Sequence, residues 1–215
     1  MRFTVVASLV LTACAHAPSK AAPSPDECRE TFEKLPLEKV TANADDPELV
    51  FREEVFELKG EVTDVFPAFV EFARHLENML PGTGKFAAVH HNEDLTAEGF
   101  PAVGSQRVVC LVDGHFAFEE VLGMRADGFN YVVSNYSLEE ARPIRYGLGD
   151  FTFSPGSVGH TKVVWRYSFK LRDDTFPGSW GGLGRSLFRS SFLDSDYAAF
   201  MKSGAAAMQK WAANR

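Results

Sequence analysis

His160–Leu171, HTKVVWRYSFKL, has the cleanest alternation in the chain and decides its class. Thr161, Val163, Trp165, Tyr167, Phe169 and Leu171 share one face, while Lys162, Val164, Arg166, Ser168 and Lys170 share the other. A strand with one face to an apolar interior and one to water looks like this, and it is typical of an antiparallel sheet. Working upstream, Pro155-Gly156 with Gly159 turns this strand from one over residues 143–154. Ala126-Asp127-Gly128 and Asp113-Gly114 turn three further runs, 107–112, 115–122 and 129–136, into consecutive hairpins. Val50–Lys59 is a further strand that stops at Gly60. Thr63 then predicts an N-cap for a helix from Asp64, with Val65, Phe66, Phe69, Val70, Ala73 and Leu76 at helical spacing and Pro81-Gly82 as its stop. Downstream, Gly178–Gly184 frees the chain. Leu183, Leu187, Phe188, Phe192, Tyr197, Phe200, Met201, Ala205, Met208 and Trp211 then form a helical stripe, with Asp194 expected to cap a long final helix after a short first one.

The start of the chain reads as an address. Arg2 precedes an apolar run, Phe3–Leu11, too short for a membrane-spanning helix of about 20 residues. It has the length of a signal-peptide core. Leu11-Thr12-Ala13-Cys14 resembles the bacterial lipobox, whose cysteine becomes the acylated N-terminus; an ordinary signal peptide is the alternative. Residues 15–25, rich in Ala, Pro and Ser, read as a tether. The expected division is a signal peptide over 1–13, a lipidated lead-in over 14–48, and one domain over 49–215. Ala15 after the cysteine points, by analogy, away from retention in the inner membrane, so the outer membrane on its periplasmic side is the expected location.

Composition narrows the partners. Loss of Arg2 takes the 22 Lys+Arg to 21, against 29 Asp+Glu. An acidic chain lacks the basic footprint that nucleic acid or anionic headgroups need. An oxidising compartment permits a bridge between Cys28 and Cys110. Their settings, a charged lead-in and an apolar strand, argue against one.

The opening strand leading into GEVTDVFPAFVEF resembles the START-like, or SRPBCC, helix-grip superfamily, whose relatives include plant pathogenesis-related allergens and polyketide cyclases. So do VGSQRVVCLVDGHFAFEEVLG, YGLGDFTFSP followed by TKVVWRYSFKLR, and the final amphipathic helix. The resemblance covers residues 49–211 and implies an α+β fold. A curved seven-stranded antiparallel sheet would grip the C-terminal helix, with a cavity between them. Phe116, Phe118, Phe129, Phe151, Phe153 and Phe169 on strands suit either an apolar-ligand cavity or a solid core.

Recognisable catalytic sets are missing from the pattern. His90 and His91 are neighbours on an extended segment, where side chains diverge, and no metal or cofactor is expected. PGSVG and VGSQR lack the spacing of a nucleophile elbow. Glu120 shares a face with Phe116 and Phe118; it is either a polar anchor inside the cavity or an outward cross-strand partner of Arg107, Arg145 or Tyr146. The expected cavity residues are Phe116, Phe118, Glu120, Tyr131, Tyr146, Trp165, Tyr167, Phe169 and Phe200. The expected function is binding of a hydrophobic small molecule or lipid by a monomeric protein anchored to the membrane through Cys14. A cyclase- or dehydratase-like enzyme and an envelope interaction scaffold are the alternatives.

Overall fold

A computed structural model describes Ser24 and residues 27–215, so the Leu11–Cys14 motif lies outside the described residues. Seven strands form one antiparallel sheet in the order β1-β7-β6-β5-β4-β3-β2. They are β1 (Val50–Lys59), β2 (Val89–Asp94), β3 (Gln106–Leu111), β4 (Phe116–Arg125), β5 (Gly128–Ser134), β6 (Ile144–Pro155) and β7 (His160–Leu171). Each turn predicted from Asp113-Gly114 onward joins neighbouring strands. The first strand closes against the last, with Val50 opposite Phe169 and Lys59 opposite His160. On β7 the predicted inner face is inside: Val163, Trp165, Tyr167, Phe169 and Leu171 are all buried.

Helices α2 (Val62–Phe72) and α3 (Leu76–Met79) fill the crossover between β1 and β2. The helix α2 starts one residue before the expected cap: Glu61, extended at ψ 151°, is its N-cap in place of Thr63. Pro67 sits within its first two turns, where a missing N–H costs least. After β7 the chain is helical from Gly181 through Ala213, but not uniformly so. Between α4 (Gly181–Phe188) and α5 (Ala198–Ala213), residues Arg189–Tyr197 are π-helical. Asp194 caps nothing; its carboxylate accepts a hydrogen bond from Arg52 at 3.1 Å. Ser191 and Ser195 donate to carbonyls four residues back at 2.7 and 2.6 Å, the back-bonding that loosens and bends helices.

The lead-in is a strap on the outer face of the sheet. Helix α1 (Cys28–Glu33) is tied to β3 by a Cys28–Cys110 disulfide, Cα–Cα 5.9 Å. This corrects the expectation that the two stay apart: Cys110 faces outward, and Phe32 carries Cys28 over it into a buried cluster with Val108 and Phe116. Further along, Glu38 takes hydrogen bonds from Arg145 and Arg172. Val40, Ala42 and Leu49 pack on Val132, Tyr146 and Leu148. Asp46 and Glu48 both pair with Lys170. Among the described residues no helix is long and apolar enough to cross a membrane.

Candidate functional site

The inner face of the sheet, under α2, α3 and α5, is an aromatic wall. Trp165 lies flat on Phe151, with centroids 5.2 Å apart and planes 11° apart, and Phe151 stacks in turn on Phe129 at 5.2 Å. Glycines on β6 make room for the largest rings. A Cβ on Gly149 would stand 2.1 Å from the Tyr131 ring, and one on Gly147 would stand 2.6 Å from the ring of Tyr167. Tyr131, Tyr136, Tyr167 and Tyr197 therefore gather over the middle of the sheet. Burial pushes all four hydroxyls upward in pKa, so they stay neutral hydrogen-bonding groups.

One charged pair interrupts this wall. Arg107 on β3 stands opposite Glu119 on β4 and donates from Nε to Oε1 at 2.8 Å. Its Nη1 donates to the Ala73 carbonyl at the end of α2, at 2.9 Å, and its guanidinium lies 4.7 Å over the Phe100 ring. Both side chains are about 5% exposed. Burial pushes the Glu119 carboxyl above its ordinary value, against the opposing pull of Arg107. Trp165 Nε1 is buried and, among the described residues, makes no hydrogen bond of normal geometry; the Tyr131 hydroxyl is an acceptor within its reach.

Arg107, Glu119, Tyr131 and Trp165, with Leu76 and Met79 from α3, line a cavity of about 30 Å³. That is room for roughly one water molecule. Beside this cavity α5 approaches tightly at Gly204, where a Cβ would lie 3.1 Å from the Trp165 ring.

Four of the expected cavity residues are not here. Phe116 and Phe118 face outward and pack on Phe32, at 5.7 and 5.9 Å between centroids. Glu120 shares their face, half-buried, and accepts from Gln106 Nε2 at 3.0 Å. Tyr146 lies under the strap, its hydroxyl accepting from the Asn43 N–H at 3.4 Å. All four belong to the outer side because β4 and β6 present that parity to the strap, which buries it. Tyr131, Trp165, Tyr167 and Phe169 face inward, although only Tyr131 and Trp165 touch the cavity. Phe169 packs on Tyr197 at 4.9 Å, and Phe200 packs on Phe86 at 5.1 Å near the helix end. Sequence reasoning missed Glu119 as the inward carboxylate and Arg107 as its partner. His90 and His91 also differ from expectation: a register shift in β2 lets their Nδ1 atoms approach to 2.7 Å. Among the described residues no three metal-binding side chains gather.

No protein-family model matches the sequence, and no curated protein matches it. Solved structures do. A norcoclaurine synthase point mutant from Thalictrum flavum, bound to a transition-state analogue, superposes with a TM-score of 0.55 at 14% identity, over 77% of this chain and 95% of that one. The fold is the helix-grip fold. Ara h 8.0201 shares it with a TM-score of 0.52 at 13% identity, over 78% of this chain and 99% of that one. Major latex-like protein 151 from Panax ginseng scores 0.52 at 15%, over 76% and 97%. At such identities the helix-grip likeness carries architecture and not activity.

Proposed function

We propose that this helix-grip protein binds a hydrophobic small molecule or lipid between the sheet and the C-terminal helix, and that it does so at a membrane to which Cys14 anchors it. The observation that carries the reading is the Trp165 N–H. A packed core seldom leaves a buried donor without a well-formed hydrogen bond; this one is met only loosely by the Tyr131 hydroxyl and lies in an aromatic wall beside a cavity. A ligand with an apolar body and one acceptor would satisfy both features. Tyr131 and the Arg107–Glu119 pair supply further polar contacts at the same corner.

The resting cavity of about 30 Å³ is far smaller than a typical ligand site of roughly 300 Å³ or more, so binding requires the helix to lift. The π-helical segment Arg189–Tyr197 is the natural place to bend. The lipobox-like Leu11–Cys14 supports the anchor. The Cys28–Cys110 disulfide supports an exported protein, since such bonds persist in oxidising compartments.

Native mass spectrometry of the protein from its own envelope should show an apolar adduct that solvent extraction removes. Trp165→Phe, which keeps the ring and deletes the donor, should hold that adduct less well. A protein with no adduct, whose melting temperature no lipid or aromatic compound raises, overturns the proposal. The convergence of Glu119, Arg107 and Tyr131 favours a second reading, an enzyme with Glu119 as general acid. Glu119→Gln would then abolish turnover of a bound ligand while leaving its binding intact.

A further inference from the structure

The segment after β7 turns four large apolar side chains to the outside. Phe176 is 50% exposed, Trp180 60%, Leu183 71% and Leu187 42%. Leu183 and Leu187, four residues apart, share one side of α4, and Trp180 stands immediately before that helix. Phe176 packs edge-on against Trp180 at 5.0 Å. The knob is well defined: Gly184 is pressed so closely on the Pro177 carbonyl that a Cβ there would lie 1.7 Å from its oxygen. The opposite side of α4 is committed to the interior through Phe188, which packs on Phe169 at 5.7 Å. Isolated exposed apolar residues are ordinary, but a contiguous group marks an interaction surface.

We propose that Phe176, Trp180, Leu183 and Leu187 dock into the interfacial layer of a phospholipid bilayer. Residue chemistry is the first support, because Trp and Phe beside Leu are the side chains that settle at that depth. Position is the second. Strand direction puts the end of β3, the start of β4, the end of β5, the start of β6, the end of β7 and the start of β1 on one edge of the molecule. The strap runs along that edge from Cys28 to Glu48, and the knob follows β7 at the same edge. Four strand spacings, about 19 Å, separate β3 from β7. Residues 15–27 reach at most about 45 Å. An anchor at Cys14 therefore lets this edge, where the strap enters the domain, come to the bilayer; in this respect the inference rests on the anchored reading above. Charge sets the kind of lipid: Arg185 is paired with Glu48 at 3.0 Å and Arg172 with Glu38, and Asp173 and Asp174 precede Phe176, so the rim has no basic field and the surface suits zwitterionic rather than anionic lipid.

The test uses the full chain reconstituted in vesicles of phosphatidylethanolamine and brominated phosphatidylcholine, with tryptophan fluorescence as the readout. Trp165 is buried and Trp211 is stacked on Phe72, so the bromine atoms should quench mainly Trp180. Trp180→Phe should remove more than half of the quenching, and Leu183→Ser with Leu187→Ser should reduce it at least twofold without lowering the melting temperature. Quenching that is absent, or that Trp180→Phe leaves unchanged, overturns the docking surface while leaving the anchor intact. The mass of the recovered chain reads the anchor separately. If it lacks acyl chains, the anchored reading fails, and quenching by the same vesicles added to that chain still decides the patch.

Discussion

Glu119 and Glu120 are adjacent and chemically identical, yet one is buried against Arg107 and the other is half-exposed beside Gln106. Alternation along HFAFEEVL shows that they face opposite ways, but not which way is in. The usual clue is polarity, and it fails here because the strap buries Phe116 and Phe118 on the outer face. On β7, whose outer face carries Lys162 and Arg166, the same rule succeeds. The buried pair has a clear energetic signature. Arg107→Met leaves a carboxylate in an apolar site and should cost about 3–5 kcal/mol in urea unfolding near neutral pH, with most of it recovered in Arg107→Met combined with Glu119→Leu. The loss should depend on pH in a definite sense. Burial already raises the Glu119 carboxyl above its ordinary 4.5, and without Arg107 it rises further. A carboxyl raised in the folded state loses stability as pH climbs from the unfolded value through the folded one. The variant's deficit should therefore shrink toward pH 4.5 and grow above it.

Among the elements, the strap and the last helix were the least legible. The strap's own residues are charged and proline-broken, so nothing local announces that it packs. Its order comes from partners far along the chain: Cys110, Arg145, Lys170 and Arg172. Cys28→Ser should lower unfolding free energy by about 2–5 kcal/mol, measured against the oxidised parent. Acid should loosen the same segment differently. Glu38 is held below its ordinary value by Arg172, Asp46 by the Glu48 N–H, and Glu48 by Lys170. Depressed carboxyls give stability that is full above their unfolded values of 4.5 and 3.8 and lost as pH falls through the folded ones. Hydrogen exchange over residues 38–48 should accelerate below that range while β5 and β6 stay protected. In the last helix the overlooked signal was a spacing of five. Phe188 and Leu193, then Phe192 and Tyr197, recur at the i→i+5 interval of a π-helix. A 3.6-residue stripe assigned Leu183 and Leu187 to the core, and both are exposed.

For the whole molecule, strand order and the gripping helix were legible because hairpin turns and a half-buried final strand leave few antiparallel arrangements. The state of the interior was not. A list of phenylalanines fits a cavity or a solid core equally well, and the difference here turns on Gly204 letting α5 settle against Trp165. The remaining void sits against α3, which makes the domain's response to enlargement a direct measure of its purpose. Met79→Ala should destabilise the protein by about 2–5 kcal/mol in thermal unfolding, and an apolar ligand should restore part of the loss. Unrestored loss with every ligand would mark a core that only packs.

The disulfide also sets how the molecule carries load. With Cys28 bonded to Cys110, a pull on the chain ahead of Cys28 enters the sheet at β3 and bypasses residues 29–109. The strap and β1 then hang in an unstressed loop. Under the anchoring proposed above, a drift between membrane and domain would put tension on the paired β3 and β4, where strands must shear past one another. The β1–β7 seam that closes the grip stays out of the line of force.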